Sequence, residues 1–307
     1  MDQENLSTVQ SLSTNFDNCM TIGNPSSNDN AKNLLYSKPR QLTDDDCTKL
    51  ELQDKRGLLS SFINAKLEKE AAANWDKFYK RNETRFFKDR HWTIREFSEL
   101  LGLPENDSSI TPAKKRLLLE TGCGVGNFFY PLLESGLNLK VYACDFSARA
   151  IDLIKQHEQY DSENIVAFVA DLTQESCLSP HIPERSIDLV TCVFVLSAIS
   201  PSHHGFVAAN VASVCHHGSV LLFRDYAVND MAMIRFKPGS KISHRFYVRQ
   251  DGTRAYYFTL EEVVKLFADY GFRCTEGGYL HRRTTNIKEG IDAPRVFLQA
   301  KFVYERP

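Results

Sequence analysis

An α/β fold built around a mostly parallel sheet is predicted by three features of the chain. Apolar, β-prone runs alternate with helical patterns from residue 116 to residue 226, which is typical of a parallel sheet covered by helices on both faces. The glycine-rich stretch ETGCGVGN stands between the first of these runs and a helical pattern. Farther on, YVRQDGTRAYYF holds an Asp-Gly pair between two β-rich runs, which is a strong signal for a hairpin.

The predicted strands are runs of apolar and β-branched residues. They are, in chain order, RLLLET, KVYACDF, NIVAFVADL, IDLVTCVFVLSAI, SVLLFRDY, YLHRRTT and RVFLQAKFVYE. Helices are predicted from Asn127, Ser147, Ser202 and Thr259, where polar residues precede apolar residues at helical spacing. Upstream, the same spacing predicts two helices that are separated near Gly57, followed by a short helix in TIREFSELLG.

The composition changes along the chain and indicates three regions. Residues 1–30 are rich in Asn, Ser, Thr and Asp, contain no Lys or Arg, and have no apolar period that could bury a face. We therefore predict a disordered tail over 1–41, a helical segment over 42–110 and the main domain over 111–307, with a hairpin insertion around 242–258.

The length, composition and cysteine count of the chain exclude several classes of protein. The chain has 307 residues, 42% of them hydrophobic, which is enough for a sizeable core. Its eight cysteines form no CxxC pair, so we expect reduced thiols and no structural zinc. No run approaches the ~18 apolar residues of a membrane span, and the N-terminus does not resemble a leader. We expect a cytoplasmic location, with the nucleus as an alternative.

The glycine-rich stretch has the context of a cofactor loop, because it follows an apolar strand and opens a helix. A dinucleotide enzyme with a GxGxxG loop has its third glycine where this chain has Asn127. Gly122, Gly124 and Gly126 instead fit the ExGxGxG loop of S-adenosylmethionine (SAM) methyltransferases. The motif by itself is only moderately specific.

Acidic residues at the ends of the next strands add to this interpretation. Asp145 can accept hydrogen bonds from both ribose hydroxyls of either NAD or SAM, and its alternative role is a helix cap. Asp171 and Leu172 follow the third strand, where a carboxylate and an apolar side chain can meet an adenine ring, which favours SAM. Val193 is either the floor of that pocket or an ordinary core residue.

Further blocks carry a family resemblance. The chain contains NWDKFYKRN, FFKDRHW, GCGVGN, ACDFS, FVLSAI, LFRDY, FYVRQDGTRAYYF and PRVFLQAKF. From about Lys66 to the C-terminus it resembles the tRNA 3-methylcytidine (m3C) methyltransferases of the methyltransferase-like group. The resemblance implies a Rossmann-like class I SAM-dependent methyltransferase fold, with a seven-stranded, mostly parallel sheet and an N-terminal helical RNA-binding extension. One departure is the loop VCHHGS, where such proteins usually have a Lys-Pro-Gly-type turn.

The resemblance also implies the cofactor, the substrate and a set of site residues. It places the contacts to SAM at Trp75, Tyr79, Gly122, Gly124, Asp145, Asp171, Leu172 and Val193. Trp75 and Tyr79 are four residues apart, so a helix can lay both rings over the cofactor, or the rings can simply dock the helix. The substrate is tRNA, and some family members act with a partner such as seryl-tRNA synthetase.

The missing motifs indicate which atom is methylated. The chain lacks the Pro-Cys pair of cytosine C5 methyltransferases and the Pro-Pro-aromatic segment that orients an exocyclic amine. A ring nitrogen fits better, since cytosine N3 carries an in-plane lone pair and needs only correct alignment with the methyl group. Because N3 is hidden in a base pair, the target is expected in a loop, such as position 32 of the anticodon loop.

Catalytic and RNA-binding residues are predicted from this chemistry. Asp225, in LFRDY, is a candidate for stabilising the positive charge that develops on the base. Arg224 either pairs with it or holds a phosphate, and Tyr226 is placed to stack on the base. Two basic segments, over residues 77–95 and 235–254, are concealed by the net charge of −2 and are expected to meet phosphates. The predicted RNA contacts are Arg85, Phe87, Lys88, Arg90, His91 and Arg249.

Two other functions remain open from the residues alone. One is an RNA-binding adaptor with a methyltransferase fold and no catalysis, against which the intact glycine loop and its acidic partners argue. The other is a small-molecule methyltransferase, in which the basic and aromatic N-terminal segment would have no purpose.

Overall fold

The computed structural model describes residues 35–84, 89–90, 92–101, 115–286 and 291–306. Within these ranges the chain forms an eight-stranded mixed sheet and a separate three-stranded sheet. The helices of the described ranges include none that is long and apolar enough to cross a membrane.

The strands and helices are defined as follows. The strands are β1 (Leu35–Tyr36), β2 (Arg116–Thr121), β3 (Leu139–Asp145), β4 (Ile165–Val169), β5 (Ile187–Val193), β6 (Cys215–Tyr226), β7 (Lys241–Ser243), β8 (Phe246–Val248), β9 (Arg254–Tyr256), β10 (Phe272–Asn286) and β11 (Ile291–Tyr304). The helices are α1 (Asp44–Lys55), α2 (Ser61–Lys69), α3 (Ala71–Asn82), α4 (Thr93–Glu96), α5 (Phe129–Glu134), α6 (Ala148–Lys155), α7 (His204–Val214), α8 (Met231–Ile234) and α9 (Leu260–Asp269).

The large sheet has the strand order β1-β10-β11-β6-β5-β2-β3-β4. Strands β2 to β6 pair in parallel, whereas β10 and β11 are antiparallel to their neighbours. This confirms the predicted α/β fold with its mostly parallel core, to which β1 adds a short eighth strand. The strand order runs from β2 outward through β3 to β4 and then continues with β5 on the other side of β2. This place is the topological switch point of the sheet, and ligands bind beyond the carboxyl ends of the strands at such a point.

Apolar side chains of the helices cover both faces of this sheet. On one face, Phe129 of α5 and Ile151 of α6 are buried against β2 and β3. On the other, Val211 of α7 and Phe267 of α9 are buried against β5 and β6. Because both faces are sealed by helices, the edge at the strands' carboxyl ends is where a ligand can reach the backbone.

Three helices stand where the sequence predicted two, since Glu70 separates α2 from α3. The first is capped by Thr43, whose side chain accepts the N–H of Asp46 in a capping box. The predicted break near Gly57 is present between α1 and α2. Gln53 of α1 donates hydrogen bonds to the carbonyl of Met233 and its neighbours, so this helix is fixed to the segment that follows β6.

The small sheet contains the predicted hairpin, with β8 and β9 paired antiparallel around the Asp-Gly turn. Buried Arg254 of β9 forms an ion pair with Glu68 of α2. The side-chain amide of Asn74 in α3 donates to the carbonyl of Gly252 at 3.3 Å. The N-terminal helices and the insertion therefore pack together beside the large sheet.

The predicted tail overlaps with ordered structure at its C-terminal end. Leu35 and Tyr36 pair with Leu280 and Tyr279 of β10. The tail predicted over 1–41 is therefore structured from residue 35 onward, and its residues 1–34 lie outside the described residues. A two-residue strand carries too little periodicity to be recognised in a polar sequence.

Candidate active site

The glycine-rich loop joins β2 to α5 and lies at the switch point of the sheet. Gly122 and Gly124 have φ angles of 54° and 55°, which residues with a side chain rarely adopt. A Cβ atom at Gly124 would lie 2.8 Å from the hydroxyl of Tyr79, and one at Gly122 would lie 2.7 Å from a methyl carbon of Val195. Both positions therefore require glycine, and the side chains of Tyr79 and Val195 pack directly onto the loop.

Asp145 ends β3 and faces the glycine-rich loop. Its Oδ2 accepts the N–H of Gly124 and its Oδ1 accepts the N–H of Ser147, both at 2.9 Å. Burial raises the pKa of this carboxyl to about 6, although the two backbone hydrogen bonds act in the opposite direction. The N-cap of α6 is Ser147, whose side chain accepts the N–H of Ala150, so the alternative that Asp145 itself caps the helix does not describe this structure.

Replacement of Asp145 by alanine is expected to weaken SAM binding while the protein stays folded. Hydrogen bonds to a charged acceptor contribute about 1.5–3 kcal/mol each, which corresponds to a loss of affinity of at least tenfold. Calorimetric titration with SAM measures this loss, and Asp152→Ala, an exposed residue of α6, is the matched control. Equal SAM affinities for the Asp145 variant and the wild type would exclude the ribose assignment.

Helix α3 lies over this loop and supplies aromatic side chains. Tyr79 is buried against Val125, and Trp75 is half-buried with its ring centroid 5.9 Å from that of Tyr79. Asp76, on the same helix, accepts a hydrogen bond of 2.6 Å from the hydroxyl of Ser147. The predicted shared face of Trp75 and Tyr79 is thus directed at the loop, and α3 is bonded to the start of α6. A contact of either ring with SAM stays a prediction.

The remaining predicted cofactor residues lie along the same edge. Asp171 follows β4 and accepts hydrogen bonds from the N–H and hydroxyl of Thr173, at 3.0 and 2.7 Å. Leu172 beside it is buried, with its carbonyl bonded to the amide of Asn210. Val193 ends β5 and is 6% exposed. All three predicted residues are therefore near the carboxyl ends of parallel strands, as the cofactor interpretation requires.

Glu120 is a site residue that the sequence analysis quoted within its motif without assigning a role. It is buried at the end of β2 and accepts the N–H of Phe129, while its Oε2 has no partner within the described residues. Burial raises the pKa of the carboxyl to about 8, and the positive charge of Arg90 counteracts this shift. A buried acid with an unused oxygen suits a ligand that carries positive charge. The acidic first position of ExGxGxG was the available signal.

Replacement of Glu120 by glutamine should change how the stability of the ligand-free protein depends on pH. Between the usual glutamate pKa of 4.5 and the folded value of about 8, the unfolded chain loses this proton while the folded protein keeps it. Rising pH therefore favours unfolding through Glu120, and the variant lacks this contribution. Thermal melts should show the variant gaining stability relative to the wild type as the pH rises from 4.5 to about 8. A constant difference would contradict the assignment.

Asp225 and Tyr226 end β6, beside the cofactor loop. Asp225 is fully buried, and its carboxylate accepts the N–H of Ser197 at 3.0 Å and the N–H of Tyr226 at 2.8 Å. Burial raises its pKa to about 6, while the hydrogen bonds and the positive charge of Arg249 act to lower it. Tyr226 is also buried, with the Arg249 guanidinium 5.6 Å from its ring centroid. Asp225 therefore lies behind the surface of the cleft, the region bounded by the cofactor loop and the carboxyl ends of β5 and β6.

Arg224 is directed away from Asp225. Its buried guanidinium forms an ion pair with Glu96 of α4 and lies 4.1 Å from the ring centroid of Trp92. Glu96 is also bonded to Arg282 of β10 at 3.0 Å. The Arg224–Asp225 pair that we considered is thus not formed, because consecutive side chains of a strand point to opposite faces. This geometry favours a structural role for Arg224, and a role in catalysis stays a prediction.

Comparison with known proteins identifies the family. A family model described as a methyltransferase domain matches residues 119–221. The tRNA N(3)-cytidine methyltransferase METTL6 of Mus musculus is 53% identical over 252 residues, which are 82% of this chain and 87% of the mouse protein. The tRNA N(3)-methylcytidine methyltransferase trm141 of Schizosaccharomyces pombe is 43% identical over 244 residues, 78% of this chain and 95% of the yeast protein.

The chain belongs to the tRNA N(3)-cytidine methyltransferase family.

Solved structures agree with the family's fold. The crystal structure of a SAM-dependent methyltransferase from Anabaena variabilis is similar with a TM-score of 0.52 and 14% identity, covering 76% of this chain and 95% of that chain. The predicted Rossmann-like class I SAM-dependent methyltransferase fold is confirmed. The glycine loop, buried Asp145 and the Glu120 oxygen, which has no partner among the described residues, fit SAM, which combines ribose hydroxyls with positive charge. Among the described residues no cluster of His, Cys, Asp and Glu is arranged to hold a metal ion.

The RNA contacts expected for this family are only partly described. Arg85, Phe87, Lys88 and His91 lie outside the described residues. Arg90 has its N–H bonded to the carbonyl of Asn127 at 2.8 Å, and its guanidinium lies 5.4 Å from the ring centroid of Phe194. It therefore points into the cleft, although we had expected it at a phosphate.

Arg249 lies in the turn between β8 and β9 and connects the insertion to the cleft. Its guanidinium donates to the carbonyl of Arg254 at 2.9 Å and lies across the ring of Tyr226. The hairpin thus brings a positive charge to the end of β6. Whether Arg249 contacts RNA stays a prediction.

Proposed function

We propose that the protein transfers the methyl group of SAM to N3 of cytidine in tRNA, at position 32 of the anticodon loop. The observation that supports this proposal is the length over which the chain is similar to its relatives. Relatives named as tRNA N(3)-cytidine methyltransferases are 49–53% identical over 82% of this chain. A match of this length must include the helical segment or the insertion in addition to residues 119–221 of the methyltransferase domain.

The chemistry needs alignment and charge stabilisation more than proton transfer. Bound SAM supplies an electrophilic methyl group on a sulfonium. The chain's own residues hold it, with Asp145 at the ribose, Trp75 and Tyr79 as a cover, and Glu120 near its positive charge. Cytosine N3 would attack the methyl carbon with its in-plane lone pair while the methyl–sulfur bond breaks and S-adenosylhomocysteine leaves, so no general base is required. Asp225 provides a negative charge near the base as the base becomes cationic.

The tRNA would be bound by the unit formed from the N-terminal helices and the insertion. Lys77, Lys80 and Arg81 are exposed on α3, and Arg249 lies at the edge of the cleft. These charges lie close to Asn74, which is hydrogen-bonded to the hairpin turn. Phosphate contacts from such residues make binding strongly dependent on salt. Several basic residues of the two segments are engaged in ion pairs: Arg81 with Asp251, Lys241 with Asp54, Arg245 with Glu262 and Arg254 with Glu68.

An aminoacyl-tRNA synthetase is the proposed partner, with seryl-tRNA synthetase as the first candidate, in the cytoplasm or the nucleus. It would select or present the tRNA. The exposed apolar side chains of α2 provide a surface for a protein, since Phe62 is 78% and Ile63 41% exposed.

Mass spectrometry of tRNA nucleosides tests the proposal. Unmodified tRNA is incubated with the purified protein and SAM, with and without seryl-tRNA synthetase, and 3-methylcytidine is measured. A substrate in which cytidine 32 is replaced by uridine controls for the position, and Asp145→Ala controls for the cofactor. Formation of a different methylated nucleoside, or none in both conditions, would disprove the proposed activity.

A further inference from the structure

Phe194 follows β5 directly and has an unusual backbone conformation. Its φ angle is 61°, a region that bulky residues rarely adopt and that is concentrated at functional sites. Its N–H donates to the carbonyl of Arg224 at 2.8 Å, so β6 holds the backbone in place. The ring itself is half-buried. The fold thus maintains a strained residue whose ring packs edge-on against Phe297, with the centroids 5.5 Å apart, and stays partly exposed.

Phe194 lies between the cofactor loop and Tyr226. The next residue, Val195, packs against Gly122 of the cofactor loop. On the other side, the ring centroid of Phe194 lies 5.1 Å from that of Tyr226. The carboxylate of Asp225 is held by the N–H of Ser197, only a few residues farther along. Phe194 therefore belongs to a short segment that contacts both the cofactor loop and Asp225.

One face of the Phe194 ring already holds a flat, delocalised cation. The guanidinium of Arg90 lies 5.4 Å from the ring centroid and donates weakly to the carbonyl of Val193, at 3.4 Å. Ring faces attract cations, and they also stack on nucleobases of every kind. The 3-methylcytosine ring is both a nucleobase and a flat cation, so it has the properties of the group that Arg90 now places there.

We propose that Phe194 is the platform on which the target cytosine stacks, in the place taken by the Arg90 guanidinium when no RNA is bound. This inference rests on the proposed function and adds the residue that receives the base. Stacking replaces the contacts that the base loses when it leaves the loop. The face of the ring also favours the cationic product over the neutral base, because the attraction grows as positive charge develops.

A fluorescent cytosine analogue at the target position of an anticodon stem-loop tests this inference. Binding is followed with S-adenosylhomocysteine present, so that no turnover occurs, and stacking on an aromatic ring quenches the fluorescence. Phe194→Gly removes the ring and relieves the backbone strain, whereas Phe194→Tyr keeps the ring. Phe206→Ala, which removes a partly exposed ring on α7, is the control. Single-turnover methylation, melting temperature and SAM affinity are measured on the same variants.

We expect wild type, Phe194→Tyr and Phe206→Ala to quench the analogue, and Phe194→Gly to lose both the quenching and about 10- to 100-fold in single-turnover rate. SAM affinity should be unchanged. Quenching that survives in Phe194→Gly would overturn the inference, because the base would then stack elsewhere. If that variant does not fold, Phe194→Leu is compared with Phe194→Tyr by the same criteria. Wild type that methylates cytidine without quenching refutes only the inference, whereas wild type that methylates no cytidine refutes the proposed function.

Discussion

Replacement of Asp225 by asparagine is expected to slow methyl transfer by about 100-fold or more, since it removes a preorganised charge near a base that becomes cationic. The substitution conserves size and keeps one oxygen to accept a backbone N–H. The rate is measured in a single turnover at saturating SAM and tRNA, and SAM affinity should change little. The wild-type rate should also fall as the pH drops through about 6, where Asp225 becomes protonated. The variant should lack this dependence.

Asp188→Asn is the matched control for Asp225. Asp188 lies near the amino end of β5 and accepts the N–H of Leu117 at 2.7 Å, so its replacement also disturbs a bond to the backbone. The control should melt at a lower temperature without a specific loss of rate. If Asp225→Asn methylates tRNA at the wild-type rate, Asp225 serves only to hold Ser197 and Tyr226, and another group meets the developing charge.

Replacement of Glu96 by alanine is expected to destabilise the protein by about 3–5 kcal/mol, the usual effect of removing one partner from a buried ion pair. Glu96 lies between Arg224 and Arg282, and without it the guanidinium of Arg224 is left buried between the Trp92 ring and a 3.4 Å contact to Gln299, with no acidic partner in its place among the described residues. Urea denaturation measures the change in the free energy of unfolding.

Lys265→Ala provides the comparison for an exposed pair. Lys265 bonds to Asp269 at 3.0 Å on the surface of α9, and such pairs contribute about 0.5 kcal/mol or less. An equally small effect for Glu96→Ala would show that Trp92 and the aromatic contacts alone hold α4 against the sheet.

The sequence was most informative where structure depends on neighbours in the chain. The apolar runs of the parallel strands, the glycine loop and the Asp-Gly turn are local signals, and each lies where it was predicted. The strand that contains Asp225 was also predicted correctly. One of the two roles considered for Arg224, a pair with Asp225, is nevertheless not formed, because the alternation of side chains along a strand separates them.

Contacts between residues that are far apart in the sequence could not be predicted from local patterns. Glu96 and Arg224 are 128 positions apart, and nothing in the spacing of charges selects this partner from the other acids. The left-handed backbone of Phe194 likewise follows from packing at the end of β5 and has no signature in the residue type. Residue types favoured Arg90 as a phosphate ligand, while its burial in the cleft depends on its bond to Asn127.

Strand β1 imposes an order on how the molecule can assemble. Leu35 pairs with Leu280 and Tyr36 with Tyr279, so a segment near the start of the chain completes the sheet edge against one near its end. A ribosome must translate β10 before β1 has any strand to pair with. The helices that begin at Asp44 therefore leave the ribosome long before their N-terminal flank can be anchored. The final edge of the sheet closes only once synthesis is nearly complete.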